Sequence, residues 1–169
     1  MKPYIRPLGM LPLAVIICAA TFAAATPADA HVLHLKGSIK ATEDHTVIPP
    51  TMTIQLAGTG HATHLGLYVL TAEETVTLPA LASHGTFEVN TECGATLSGT
   101  VAGQGTLING GTEAVIDEVY TITTGTGRFK GATGTISVHR VVNRTTLNSS
   151  GTIEGAITLA DHRRWGRGR

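Results

Sequence analysis

The chain has 169 residues, with twelve Lys and Arg against twelve Asp and Glu, and only 14% of it is charged. That balance gives no global field to draw nucleic acid or anionic lipid, and the length suits one domain with a core of its own. Two cysteines in the whole sequence exclude a disulfide framework and a cysteine-rich metal cluster.

In chain order, the first segment reads as an export signal. Lys2 and Arg6 form a positive n-region, and "LPLAVIICAATFAAA" from Leu11 is an apolar run of about 15 residues, short of the roughly 20 that a membrane span needs. "ATPADA" follows, with Ala28 and Ala30 in the A-x-A pattern of a signal peptidase site. Residues 1–30 are therefore expected to be a signal peptide, 31–160 the folded domain and 161–169 a basic disordered tail. The expected location is secreted or periplasmic, with no membrane attachment after cleavage. Only Cys93 then remains, expected as a small buried hydrophobe.

Residues 31–160 contain no stretch with helical spacing of apolar residues. Thr, Val, Ile and Gly dominate, and the alternation has a period of two. "VLHLKGSIKAT" puts Leu33, Leu35, Gly37 and Ile39 on one face, and "HTVIPP" is expected to break that strand. "TMTIQLAG" alternates Met52, Ile54 and Leu56 with polar or small residues. "ATHLGLYVL" and "ETVTLPAL" read as two further strands, the second ended at Pro79. "HGTFEVNTE" pairs with "ATLSGTVAG" across a turn near Cys93 and Gly94, and "NGG" at 109–111 marks another turn. "EAVIDEVYTITT", "GTISVHRVVN" and "GTIEGAITLA" complete eight or nine strands. This is an all-β pattern, expected as a single antiparallel β-barrel of about eight strands. Glycines within strands (Gly37, Gly66, Gly99, Gly155) favour closure, because bent or closely packed strands need positions without Cβ.

"TGTGRFKGATGT" at 124–135 has the look of a phosphate cradle. The P-loop spacing fails, since Lys130 precedes its glycine, and the dinucleotide fingerprint fails because position 130 is Lys. A strand pattern follows, so no helix N-terminus is available for a phosphate. The stretch reads as a β–β corner with Phe129 as a plug for one end of the barrel, and no nucleotide is expected to bind. "YTITTGTGRFKGATGTISV" resembles a stretch of small secreted bacterial β-barrel proteins, as does "GHATHLGLYVL" at 60–70. The glycine corner is also similar to that of plant dirigent proteins and the related allene oxide cyclase barrel. This resemblance implies a calycin-like barrel. It carries no activity over, because the bacterial group has none assigned and no cyclase or dirigent catalytic residue maps onto a position here.

Eight histidines are present. His31/His34 and His61/His64 have i, i+3 spacing, which on a strand points to opposite faces. Cleavage after Ala30 would make His31 terminal, and its amine and imidazole, with His34, His84 or His139, would form a copper site. Otherwise no cofactor is expected. Glu113, Asp117 and Glu118 share one strand and are expected on a solvated outer face, with Glu113 and Asp117 roughly 13 Å apart by strand rise. The leading expectation is a secreted binding barrel for a small apolar or amphipathic ligand or a partner protein. Its expected ligand-binding residues are His64, Tyr68, Phe87, Tyr120 and Phe129, with Leu33, Leu35 and Ile39 also turned inward. The alternatives are a cyclase- or isomerase-like enzyme using His64 or Asp117, and a structural or surface-interaction module using the tail.

Overall fold

The computed structural model describes residues 31–159. The expected signal peptide, its cleavage site and the basic tail lie outside the described residues.

Eight strands form one closed antiparallel barrel in sequential order: β1 (His31–Ile48), β2 (Thr51–Ala62), β3 (Gly66–Thr77), β4 (Ala82–Thr91), β5 (Thr96–Ile108), β6 (Glu113–Gly125), β7 (Thr133–Asn143) and β8 (Asn148–Leu159). β8 closes on β1 over a register from His31 opposite Leu159 to Thr42 opposite Asn148, so no sheet edge is left open. Alternation decides the facing. Leu35, Ile39, Leu56, Tyr68, Leu70, Phe87, Val101, Tyr120, Ile136 and Ile153 point inward and are buried. Outward positions such as Lys36, Lys40, Thr59, Thr71, Glu88 and Thr152 are exposed. This is the reverse of the apolar-out alternation of a membrane-spanning barrel.

Two segments differ from the sequence expectation. β1 runs without interruption through His45, Thr46 and Val47, which pair with Ile54, Thr53 and Met52; the turn comes only at Pro49 and Pro50. The expected strands "ATHLGLYVL" and "ETVTLPAL" are also divided differently. Ala62 ends β2, Thr63 to Leu65 form the turn, and one strand, β3, continues from Gly66 through Glu73 and Glu74 to Thr77. Residues 71–73, left between the two expected strands, continue the ladder with β2, and Glu73 faces solvent while Glu74 faces the interior. Gly37, Gly99 and Gly155 stand where neighbouring backbone leaves no room for a Cβ, whereas Gly66, the first residue of β3, has φ 72° and open space where a Cβ would stand.

Antiparallel order places alternate turns at opposite ends. At one end lie the β2–β3, β4–β5 and β6–β7 turns. Here Phe129, fully buried, seals the barrel beside Leu65, Ala95, Leu97, Ala132 and Ile157. The glycine corner is built for this: a Cβ on Gly125 would collide with the Phe129 carbonyl, and Gly127 has φ 56°. Thr126 leads into a single 3-10 turn, Gly127–Phe129, and β7 begins four residues later. The corner is a β–β connection, and the Arg128 guanidinium caps the end, 4.8 Å above the Phe129 ring and 3.1 Å from the Leu65 carbonyl oxygen.

Cys93 corrects its expectation. It is exposed in the β4–β5 turn, because the inward parity of β4 ends at Thr91. The Thr91 hydroxyl, 3.2 Å from the sulfur, and the Ala95 backbone hold the thiol below its ordinary pKa.

Candidate functional site

The closed half of the barrel is packed solid. Tyr68, Phe87 and Tyr120 all point inward as expected, but toward one another and the surrounding aliphatics. The Phe87 and Tyr120 rings meet edge-on at 4.9 Å and 77°. The void among Ile39, Leu65, Tyr68, Phe87, Tyr120 and their neighbours is about 20 Å³, the space of a single water. The Tyr68 hydroxyl donates to the Ser38 carbonyl oxygen at 2.9 Å, and burial pushes its pKa up to about 12. Four of the five expected ligand-binding residues are thus core or plug. Among them only Tyr120 reaches a polar site, through its hydroxyl. His64, the fifth, is exposed in the β2–β3 turn at the plugged end with φ 61°, near Glu92, Cys93 and Arg128. It lines no part of the interior.

The opposite end is open. Above Tyr120 a cavity of about 290 Å³ leads to solvent between the β1–β2, β3–β4, β5–β6 and β7–β8 turns. Its walls are apolar, with Met52, Ile54, Val76, Leu81, Ala114 and Val142 prominent. Its floor is charged. Arg140 is 2% exposed and spans the barrel between two carboxylates. Its Nη2 donates to Glu118 Oε1 at 2.7 Å and its Nε to Glu118 Oε2 at 3.3 Å, while Nη1 donates to Glu43 Oε1. Glu118 Oε2 also accepts from the Tyr120 hydroxyl at 3.0 Å, and His45 Nε2 lies 2.7 Å from Glu43 Oε2. Gly103, opposite Glu118 on β5, makes room for this carboxylate, since a Cβ there would collide with Glu118 Cγ.

A buried ion pair persists only when each charge is answered, and three members of this group are. Burial alone would raise the Glu43 carboxyl, but the His45 hydrogen bond and the Arg140 charge outweigh it and leave the group below its ordinary value. Burial alone would lower the Arg140 pKa; Glu118 and Glu43 outweigh it and raise it. Burial raises the Tyr120 hydroxyl well above its ordinary value, and the Glu118 charge adds to the effect.

Glu74 is the exception. It is 2% exposed on β3, and its Oε1 has no hydrogen-bond partner. The Ser83 hydroxyl on β4 is likewise unpartnered and lines the same cavity. These are the two buried side-chain polar atoms left unsatisfied among the described residues. Burial first, then the Glu118 charge, with a smaller push from Glu43, raise the Glu74 carboxyl to about 7; the neighbouring Ser83 hydroxyl and the Arg140 charge pull the other way.

Other expectations fall on the outer wall. Asp117 pairs with His139 at 2.6 Å, both side chains more than half exposed, so Asp117 does not face the cavity. Glu118, expected on the solvated face with its neighbours, is inward and buried, because it shares parity with Tyr120. His31 and His34 lie on a regular stretch of β1, where their spacing sends them to opposite faces, so together they form no chelate. No group of three metal-ligating side chains occurs among the described residues.

Glu43, Glu74, Ser83 and Arg140 were not singled out by sequence reasoning. The signal was present as parity. Ile39-x-Ala41-x-Glu43, Leu70-x-Ala72-x-Glu74-x-Val76 and Val138-x-Arg140-x-Val142 each set one charge in phase with inward apolar residues.

No protein-family model matches this sequence, and no curated protein is significantly similar to it. Solved structures do resemble it. The pterocarpan synthase dirigent protein GePTS1 superposes with a TM-score of 0.54 at 13% identity, over 85% of this chain and 100% of that one. The pterocarpan synthase dirigent protein PsPTS1 gives a TM-score of 0.54 at 14% identity, over 78% of this chain and 97% of that one. At such identity the likeness is one of fold: this chain forms a dirigent-like eight-stranded barrel.

Proposed function

We propose that this protein binds a small amphipathic ligand in the open end of its barrel, apolar body against the walls and polar group at the floor. One observation carries the reading: a cavity of about 290 Å³ with apolar walls ends on two buried polar atoms, Glu74 Oε1 and Ser83 Oγ, that no protein group satisfies. Leaving a buried polar group unpaired costs about 1–3 kcal/mol, which a ligand's polar group would recover. Concave apolar sites with few convergent polar groups are the usual form of small-molecule sites. The fold shared with dirigent proteins is compatible with this use, but fold alone assigns no function. The positive n-region, apolar run and A-x-A site of residues 1–30 support an exported location.

Nile red, a neutral hydrophobic fluorophore, tests the proposal. It should bind saturably and lose binding at least about tenfold in Ala114→Trp, which fills the cavity from β6, a difference of about 1.4 kcal/mol. Equal binding by both proteins would reject the site.

A second reading is favoured by Glu74 itself. A carboxyl titrating at about 7 is suited to proton transfer near neutral pH. A cyclase- or isomerase-like activity, if present, would use Glu74 rather than His64 or Asp117, which lie outside the cavity.

A further inference from the structure

The preference of the cavity for one ligand chemistry follows from its unanswered charge, and this inference rests on the binding reading above. Six ionisable side chains line the cavity. From β1 come Glu43 and His45, from β3 Glu74, from β6 Glu118, and from β7 and the turn after it Arg140 and Arg144. Arg140 is committed to Glu43 and Glu118 by short contacts on each side, and its remaining contact is the Ser149 hydroxyl at 3.4 Å. Arg144 belongs to the exposed rim, where it donates to the Gly111 carbonyl oxygen and water screens its charge. His45 is turned to Glu43. The floor therefore holds three carboxyls around one buried guanidinium, and the third, Glu74, has no cation of its own.

We propose that the cavity selects an apolar amine: a compact hydrophobic body carrying one protonated nitrogen, whose N–H groups donate to Glu74 Oε1 and Ser83 Oγ. An ammonium is a donor with no acceptor capacity, and both unsatisfied atoms offer lone pairs. It also supplies the positive charge that the buried Glu74 carboxylate lacks, forming a charge-assisted hydrogen bond of the stronger kind. A neutral alcohol fits the same space. It brings no charge, so it gains less than an ammonium does when Glu74 ionises.

An ammonium and a pure hydrogen-bond acceptor separate by the sign of their pH dependence. An ammonium prefers the ionised Glu74, so its affinity rises as pH climbs through the titration near 7. A neutral oxygen acceptor prefers the protonated carboxyl and loses affinity over the same range. A variant lacking the Glu74 charge removes only the part of that dependence that belongs to Glu74.

The test is calorimetric titration of the protein with 1-adamantylamine and 1-adamantanol from about pH 5.5 to about pH 8, a range in which the amine stays protonated. The proposal expects the amine to tighten about tenfold or more with rising pH and to exceed the alcohol at the upper end. Glu74→Gln should flatten most of that rise, and Ser83→Ala should weaken the amine about threefold to tenfold while keeping it, the loss of one hydrogen bond. Circular dichroism checks that both variants fold; should Glu74→Gln not fold, the wild-type and Ser83→Ala profiles decide. Equal affinity for both compounds at the upper pH, or an amine affinity that does not rise, overturns the amine inference while leaving the cavity as a binding site. Failure of both compounds and of Nile red overturns the binding reading and this inference together.

Discussion

Glu74 carries an electrostatic cost that the folded barrel does not relieve. Its folded pKa of about 7 lies above that of an unfolded carboxyl near 4.5, so the folded state binds the extra proton between those values. The sign follows: the contribution of Glu74 to stability is fully present below about pH 4.5 and is lost as pH rises through about 7, an effect on the order of 3 kcal/mol. Glu43 works in the opposite sense, since its folded pKa is depressed and its contribution fades on acidification. Glu74→Gln should therefore raise the melting temperature relative to wild type by more at about pH 8 than at about pH 5. A difference that is constant over that range, measured by thermal denaturation, would show that the carboxyl is not held in a raised state. These residues were legible in sequence only as violations of parity. Alternation alone says that Glu43, Glu74, Glu118 and Arg140 face inward, but it cannot say that β1 and β6 bring their charges to the same guanidinium. Those contacts span 97 and 22 residues of sequence.

At the scale of elements, the glycine corner between β6 and β7 was the most readable feature. Its failure to match any phosphate-binding spacing, with a strand pattern on both sides, left a turn as the reading, and the lone large apolar residue within it is the plug. Phe129 is fully buried among Leu65, Ala95, Leu97 and Ala132. Phe129→Ala should cost about 3–5 kcal/mol, the range for emptying a buried phenyl site, read as a shift in the denaturant midpoint with an unchanged slope. A loss below about 1 kcal/mol would mean that this end is not sealed by the ring. The strand boundaries were less legible, for two physical reasons. A proline pair stops a ladder only where it sits, so the segment before Pro49 remained in the sheet. Adjacent glutamates within a strand are tolerated when one faces solvent and the other meets a polar floor, so β3 continues through Glu73 and Glu74. Cys93 was misplaced for a related reason: residue type favoured burial, while the end of the β4 alternation governed its exposure.

At the scale of the molecule, closure creates two unlike ends from one repeated pattern. Eight strands enclose an interior large enough for side chains or one small ligand. Here aromatic and aliphatic residues fill one half, and a charged floor with small or aliphatic neighbours leaves the other half open. The barrel itself could be read from period-two alternation and in-strand glycines. The division of its interior could not, because volume depends on which residues from different strands share a level. The most direct test is a methyl-resolved NMR titration of the barrel with 1-adamantanol. The account expects saturable shifts at Met52, Ile54, Val76, Leu81, Ala114 and Val142 around the open end, with Leu65, Leu97 and Ile157 at the plugged end unmoved. Shifts centred on the plugged end or the outer wall, or none that saturate, would contradict it.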